Sequence, residues 1–151
     1  MTFAEKIAQL NGLDIATEFR IVPGILRLGI PPLRITNGPA GVGPGGAAAQ
    51  SRAAALPAPI ASAATWDPAR ATEYGKLASE EMKAFGPDLF ETLVVNILRV
   101  PPSGHASRGL GKDPWLTSRI AVVEIKGIQS TGVEAKPFAK NVANSFRSAV
   151  A

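Results

Sequence analysis

The stretch Leu28 to Pro39, Leu-Gly-Ile-Pro-Pro-Leu-Arg-Ile-Thr-Asn-Gly-Pro, most restricts what this chain can fold into. Leu33 to Thr36 suits a short strand covered on both faces. Asn37-Gly38-Pro39 stops it abruptly and opens a glycine-rich loop. A strand of that kind belongs to a parallel sheet, and polar side chains at its carboxyl end sit where α/β barrels place ligands.

The remaining elements follow the same alternation. Thr2 to Asn11 reads as a short helix, with Phe3, Ile7 and Leu10 at helical spacing and Asn11-Gly12 as its stop. Residues 13 to 27 carry no clear pattern beyond the turn at Pro23-Gly24. Residues 38 to 55 are Gly/Ala/Pro-rich and fit either a flexible linker or a long active-site loop. Leu56 to Ala64, broken by Pro57 and Pro59, suits a short strand or turn. Asp67-Pro68 then caps a helix whose apolar stripe is Ala71, Tyr74, Ala78, Met82 and Phe85, ended by Gly86-Pro87. Glu80 and Glu81 fall outside that stripe and are expected in solvent. Leu93 to Leu98 is a second apolar strand, and residues 99 to 112 form a polar loop. Asp113-Pro114 caps a second helix to about Ser130. Val133 to Phe138 reads as a third strand despite Pro137, and Ala139 to Ala151 has helical character.

Alternating strands and helices predict an α/β fold with parallel strands. A closed eight-stranded (β/α)8 barrel takes about 250 residues. At 151 residues, a single domain spanning the whole chain supplies a partial barrel, about half of one. With no cysteine there is no disulfide or thiolate metal site, and a lone histidine does not make a metal centre, so no metal or cofactor is expected. The net charge is +4, but the basic residues are scattered and the aromatics are six Phe, two Trp and one Tyr. That pattern argues against a nucleic-acid partner. No apolar run approaches the roughly 20 residues of a membrane span, so no membrane partner is expected. Met1 to Lys6 lacks a basic region followed by an apolar core, so the expectation is no signal peptide and a cytoplasmic location.

Several phrases, in order, resemble glycoside hydrolase family 3, the β-glucosidase-type enzymes. They are Leu28 to Pro39 with the loop to Gly46, Ala55 to Ile60, Ala63 to Pro68, Asn96-Ile97 with Arg99-Val100-Pro101, Asp113 to Leu116, and Gly127 to Val133. The resemblance covers roughly residues 5 to 147. It implies a glycosidase barrel, a glucoside-type carbohydrate ligand, and hydrolysis with retention by two carboxyl groups about 5 to 5.5 Å apart. Both of those groups would fall beyond Ala151, so the resemblance implies no catalytic residue here and weak or no activity alone.

The sugar-binding positions implied by the resemblance are Asn37, His105, Arg108 and Lys136. Asn37 stands where the family usually has Asp, so it keeps an acceptor and loses the charge. It also suits a plain turn former. His105 and Arg108 fall in a phrase where the family has Gly-Arg-Asn-Phe-Glu, and His105 also reads as an exposed loop residue. Lys136 keeps the Lys of a Lys-His pair whose His is replaced by Pro137. Asp67 and Asp113 read as helix caps, and Trp66 and Trp115 as packing residues beside them. Ser62, Ser103 and Ser107 lack a His/Asp relay. Two other functions remain open. A half barrel leaves sheet edges and apolar faces that call for a second copy or a complementary barrel fragment, as a carbohydrate-binding or self-associating unit. His105, Arg108, Lys112 and Lys136 would alternatively make a basic pocket for a small hydrolase with an anionic substrate.

Overall fold

The computed structural model describes residues 1–15, 18–43, 52–100 and 102–138. Thr2 caps α1 (Phe3–Ala8) with a reciprocal box. Its hydroxyl accepts from the Glu5 N–H at 3.2 Å, and its own N–H donates to the Glu5 carboxylate at 2.6 Å. No residue of α1 is buried, and the stripe Phe3, Ile7, Leu10 faces solvent.

The sheet has five strands in the order β1-β2-β3-β4-β5, spanning Leu13–Ile15, Glu18–Val22, Leu33–Asn37, Leu89–Val94 and Glu134–Phe138. Only part of it matches the expected parallel half barrel. β3, β4 and β5 are parallel, but β1 pairs antiparallel with β2, and β2 antiparallel with β3. Within the segment 13–27 that showed no pattern, Leu13–Ile15 and Glu18–Val22 pair antiparallel, and a 3₁₀ turn begins at Leu26. A connection as short as Pro23 to Pro32 reverses the chain locally, whereas parallel pairing needs a crossover of a dozen residues or more. The described strands do not close into a barrel. β3 is covered unevenly, with Thr36 buried and Leu33 exposed.

Two further expectations shift. Residues 59–64 form a helix, α2 (Pro59–Ala64), with Pro59 in its first turn, where the missing N–H costs nothing. The second apolar strand begins four residues earlier than its apolar run, at Leu89. Its start is held by Asp88, whose N–H donates to the Arg34 carbonyl at 2.9 Å and whose carboxylate accepts from the Arg34 N–H at 2.8 Å. Leu93 has a positive φ of 59°, the register shifts between Thr92 and Val94, and the strand ends at Val94.

The two long helices follow their caps. In α3 (Pro68–Phe85) Asp67 accepts from the Ala69 and Arg70 N–H groups, and Gly86 ends the helix in the left-handed region at φ 91°. In α4 (Pro114–Gln129) Asp113 accepts from the Leu116 N–H at 2.7 Å. The helices meet at two glycines. A side chain on Gly75 would strike Glu124, and one on Gly127 would strike the Thr72 carbonyl. Met82, Ile120 and Ile128 pack with Phe90 and Leu93 of β4 into the core. Glu81 departs from the solvated face expected of it. It is half-buried, accepting the Ala54 N–H at 2.6 Å. The expected helix at 139–151 lies outside the described residues.

Candidate functional site

At the carboxyl end of β3 the three parallel strands form one row. Asn37 pairs in register with Glu91, and Glu91 with Lys136. A row across parallel strands puts residues on one level of the sheet. Two of the four residues singled out by sequence thus flank a carboxylate that sequence reasoning missed. Lys136 enters as a backbone position only, its side chain lying outside the described part.

The loop after β3 folds back over this row. The Asn37 carbonyl accepts from the Gly43 N–H, and the Thr36 hydroxyl donates to the Gly43 carbonyl at 3.1 Å. A side chain at position 43 would come within 2.5 Å of the Asn37 amide oxygen. The Leu56 N–H donates to the Ala40 carbonyl at 3.0 Å, and Tyr74 shares its phenolic proton between the carbonyls of Pro39 and Pro57, at 2.9 and 2.8 Å. The described ends of this segment are thus hydrogen-bonded to the rest of the fold. Residues 44–51 lie outside the described residues.

The loop after β4 supplies the other wall. It is tied back by a bridge between Val94 and Gly109 and by the Leu98 N–H donating to the Gly111 carbonyl at 2.9 Å. Ala106 to Arg108 makes a single 3₁₀ turn, packed against α2. Between the two loops lies an open cavity of about 480 Å³, bordered by Arg20, Asn37, Glu91, His105 and Arg108 among others. Three of the four predicted residues therefore come together there. Lys112 does not border it.

Glu91 is the one carboxylate among the described residues bordering the cavity. Its side chain is 13% exposed and ion-paired with Arg20 of β2. Both escaped sequence reasoning for local reasons. Arg20 lies in the hairpin segment that showed no pattern, and Glu91 precedes the apolar run that marked the strand. His105 and Arg108 are exposed at the rim. Trp66 and Trp115 do not pack as expected. They are 62% and 61% exposed, and the Arg119 guanidinium lies 5.5 Å from the centroid of the Trp115 ring. No group of acidic, His or Cys residues fit to hold a metal ion occurs among the described residues.

One other carboxylate was missed. Glu124 of α4 is 2% exposed, beside Gly75, with one carboxylate oxygen buried and without a hydrogen bond. Burial pushes its pKa up to about 8. Burial, and the charge of Glu124, hold the Tyr74 phenol well above its usual range.

Comparison with known proteins bears on the family of the chain. Residues 30–145 match the model of the glycosyl hydrolase family 3 N terminal domain. A beta-glucosidase of Rhizobium radiobacter is 35% identical over 89% of this chain, and one of Bacteroides ovatus is 38% identical over 75% of it. The alignments take in 16% of each relative. Among solved structures, the beta-glucosidase DesR of Streptomyces venezuelae, in complex with D-glucose, superimposes with a TM-score of 0.76 at 36% identity. It covers 93% of this chain and 18% of that one. Beta-glucosidase 3B of Thermotoga neapolitana, in complex with alpha-D-glucose, gives a TM-score of 0.80 at 28% identity, covering 96% and 22%. The chain spans less than a quarter of any of these relatives, yet the match runs through β3, both loops, α3, α4 and β5, and by it the chain belongs to glycosyl hydrolase family 3.

Proposed function

We propose that this chain is a sugar-recognising portion of a β-glucosidase-type barrel and does not by itself complete glycoside hydrolysis. The observation that carries the reading is the in-register pair Asn37 and Glu91 bordering a cavity between the loops after β3 and β4. Similar solved structures hold glucose, which favours a monosaccharide as occupant. The pair offers an amide and a carboxylate side by side, the groups that bind adjacent sugar hydroxyls. Retaining hydrolysis requires a second carboxyl group about 5 to 5.5 Å from the first. Among the described residues the cavity has Glu91 alone, and Arg20 engages it.

The test pairs a binding and a turnover measurement. In a titration with glucose followed by amide chemical shifts, the resonances of residues 37–43 and 103–108 should move. An aryl β-glucoside should be hydrolysed only at the buffer rate. Turnover at an ordinary enzymatic rate that co-purifies with the chain would overturn the reading.

A second reading is favoured by one observation. Phe3, Leu10 and Leu26 are 79%, 84% and 91% exposed. Apolar exposure of that extent suits a unit that pairs with a second copy or with a complementary piece of barrel. Light scattering would support it through a mass above that of a monomer, and a strict monomer at high concentration would oppose it.

A further inference from the structure

We infer that the cavity over β3 and β4 selects an anionic monosaccharide, one bearing a carboxylate or phosphate, over a neutral sugar. The inference rests on the carbohydrate reading of this site and adds a substrate class to it.

The argument is one of charge balance at fixed positions. Arg20 and Glu91 both border the cavity and are ion-paired, so within the pair the two charges offset each other. Arg108 is the other arginine on the cavity wall. Among the described residues it has no acidic partner. The 3₁₀ turn holds its backbone in place, its N–H donating to the His105 carbonyl at 3.0 Å. His105 stands on the same wall and offers a further ring N–H donor. Among the described residues that border the cavity, Arg108 adds a positive charge at the rim beyond the Arg20–Glu91 pair, and Asn37 and Glu91 offer hydroxyl-binding groups at the base. A planar guanidinium engages a carboxylate or phosphate through two parallel hydrogen bonds, and those bonds are about twice as strong as neutral ones. A neutral sugar would use the base of the cavity and leave the rim charge idle. A sugar with an anionic arm uses both.

Isothermal or chemical-shift titration with four probes tests this: glucose, glucuronate, glucose 6-phosphate and inorganic phosphate, at low salt and again in high salt. Glucuronate and glucose 6-phosphate should bind about tenfold tighter than glucose at low salt, the ratio expected for one added charge-assisted contact. High salt should shrink that advantage, because the rim is solvent-exposed. Arg108→Gln, checked for an unchanged circular-dichroism spectrum, should bring the anionic sugars to within about twofold of glucose. Glucose binding as tightly as both anionic sugars would overturn the preference while leaving the carbohydrate reading intact. Inorganic phosphate binding as tightly as glucose 6-phosphate would overturn both, since the sugar would then contribute nothing. An anionic preference that survives in Arg108→Gln would remove Arg108 from the assignment and sink the inference.

Discussion

At the scale of single residues, Glu124 has the sharpest consequence. Its carboxyl is buried where two helices touch, and its folded pKa of about 8 lies above the value of an exposed glutamate. In that order of pKa values the folded state holds a proton that the unfolded state has released. The associated stability is complete below about pH 4.5 and is lost as pH rises through about 8. Glu124→Gln keeps the size and removes the titration. We expect its melting temperature to exceed that of the parent at pH 8, by an amount worth up to about 5 kcal/mol, and to converge with it near pH 4.5. Thermal melts of both proteins between pH 4.5 and 8.5 check this, and parallel curves would refute it. Gly43 makes the second residue-scale prediction. Because a Cβ there would press on the Asn37 amide oxygen, Gly43→Ala should weaken sugar binding while leaving the helices intact, as read by titration beside circular dichroism.

At the scale of elements, what was legible in sequence divides along physical lines. The two long helices were readable to within a residue, because Asp-Pro at the start and, for α3, Gly at the end are local chemical signals. β5 was readable through Pro137. The hairpin β1–β2 was not, because its strands are short and gain their regularity only from pairing. β4 was displaced because an apolar run records burial, whereas a strand's ends record where its partner begins, here at Arg34 and Asp88. The site followed the same division. Asn37, His105 and Arg108 lay in loop phrases with recognisable wording, while Glu91 and Arg20 became visible only when distant strands met. The helix crossing gives the element-scale prediction. Gly127→Ala gains intrinsic helix propensity of about 1 kcal/mol but drives a methyl into the Thr72 carbonyl, and overpacking of about 1–3 kcal/mol outweighs it. Urea denaturation should show a lower midpoint than for the parent. Asp67→Ala, which removes only a cap, should cost about 1 kcal/mol.

At the scale of the whole molecule, core and surface are unevenly finished. The side of the sheet under α3 and α4 is well packed around Phe90, Met82 and Ile120, whereas α1 and the turn at Leu26 present large apolar side chains outward. Replacing Phe3 and Leu10 together by serine should leave the core untouched, since both are exposed. It should also reduce the apparent mass seen by light scattering if those side chains mediate pairing. An unchanged mass would show that Phe3 and Leu10 mediate no pairing.

The antiparallel strand beside β3 has an architectural corollary. β2 already occupies the hydrogen-bonding groups on that flank, so a wall of parallel strands cannot be extended there unless the hairpin peels away. Among the described residues, the parallel strand at the edge of the sheet is β5. A further parallel strand that pairs with the described sheet would therefore add beside β5, at the edge opposite the hairpin.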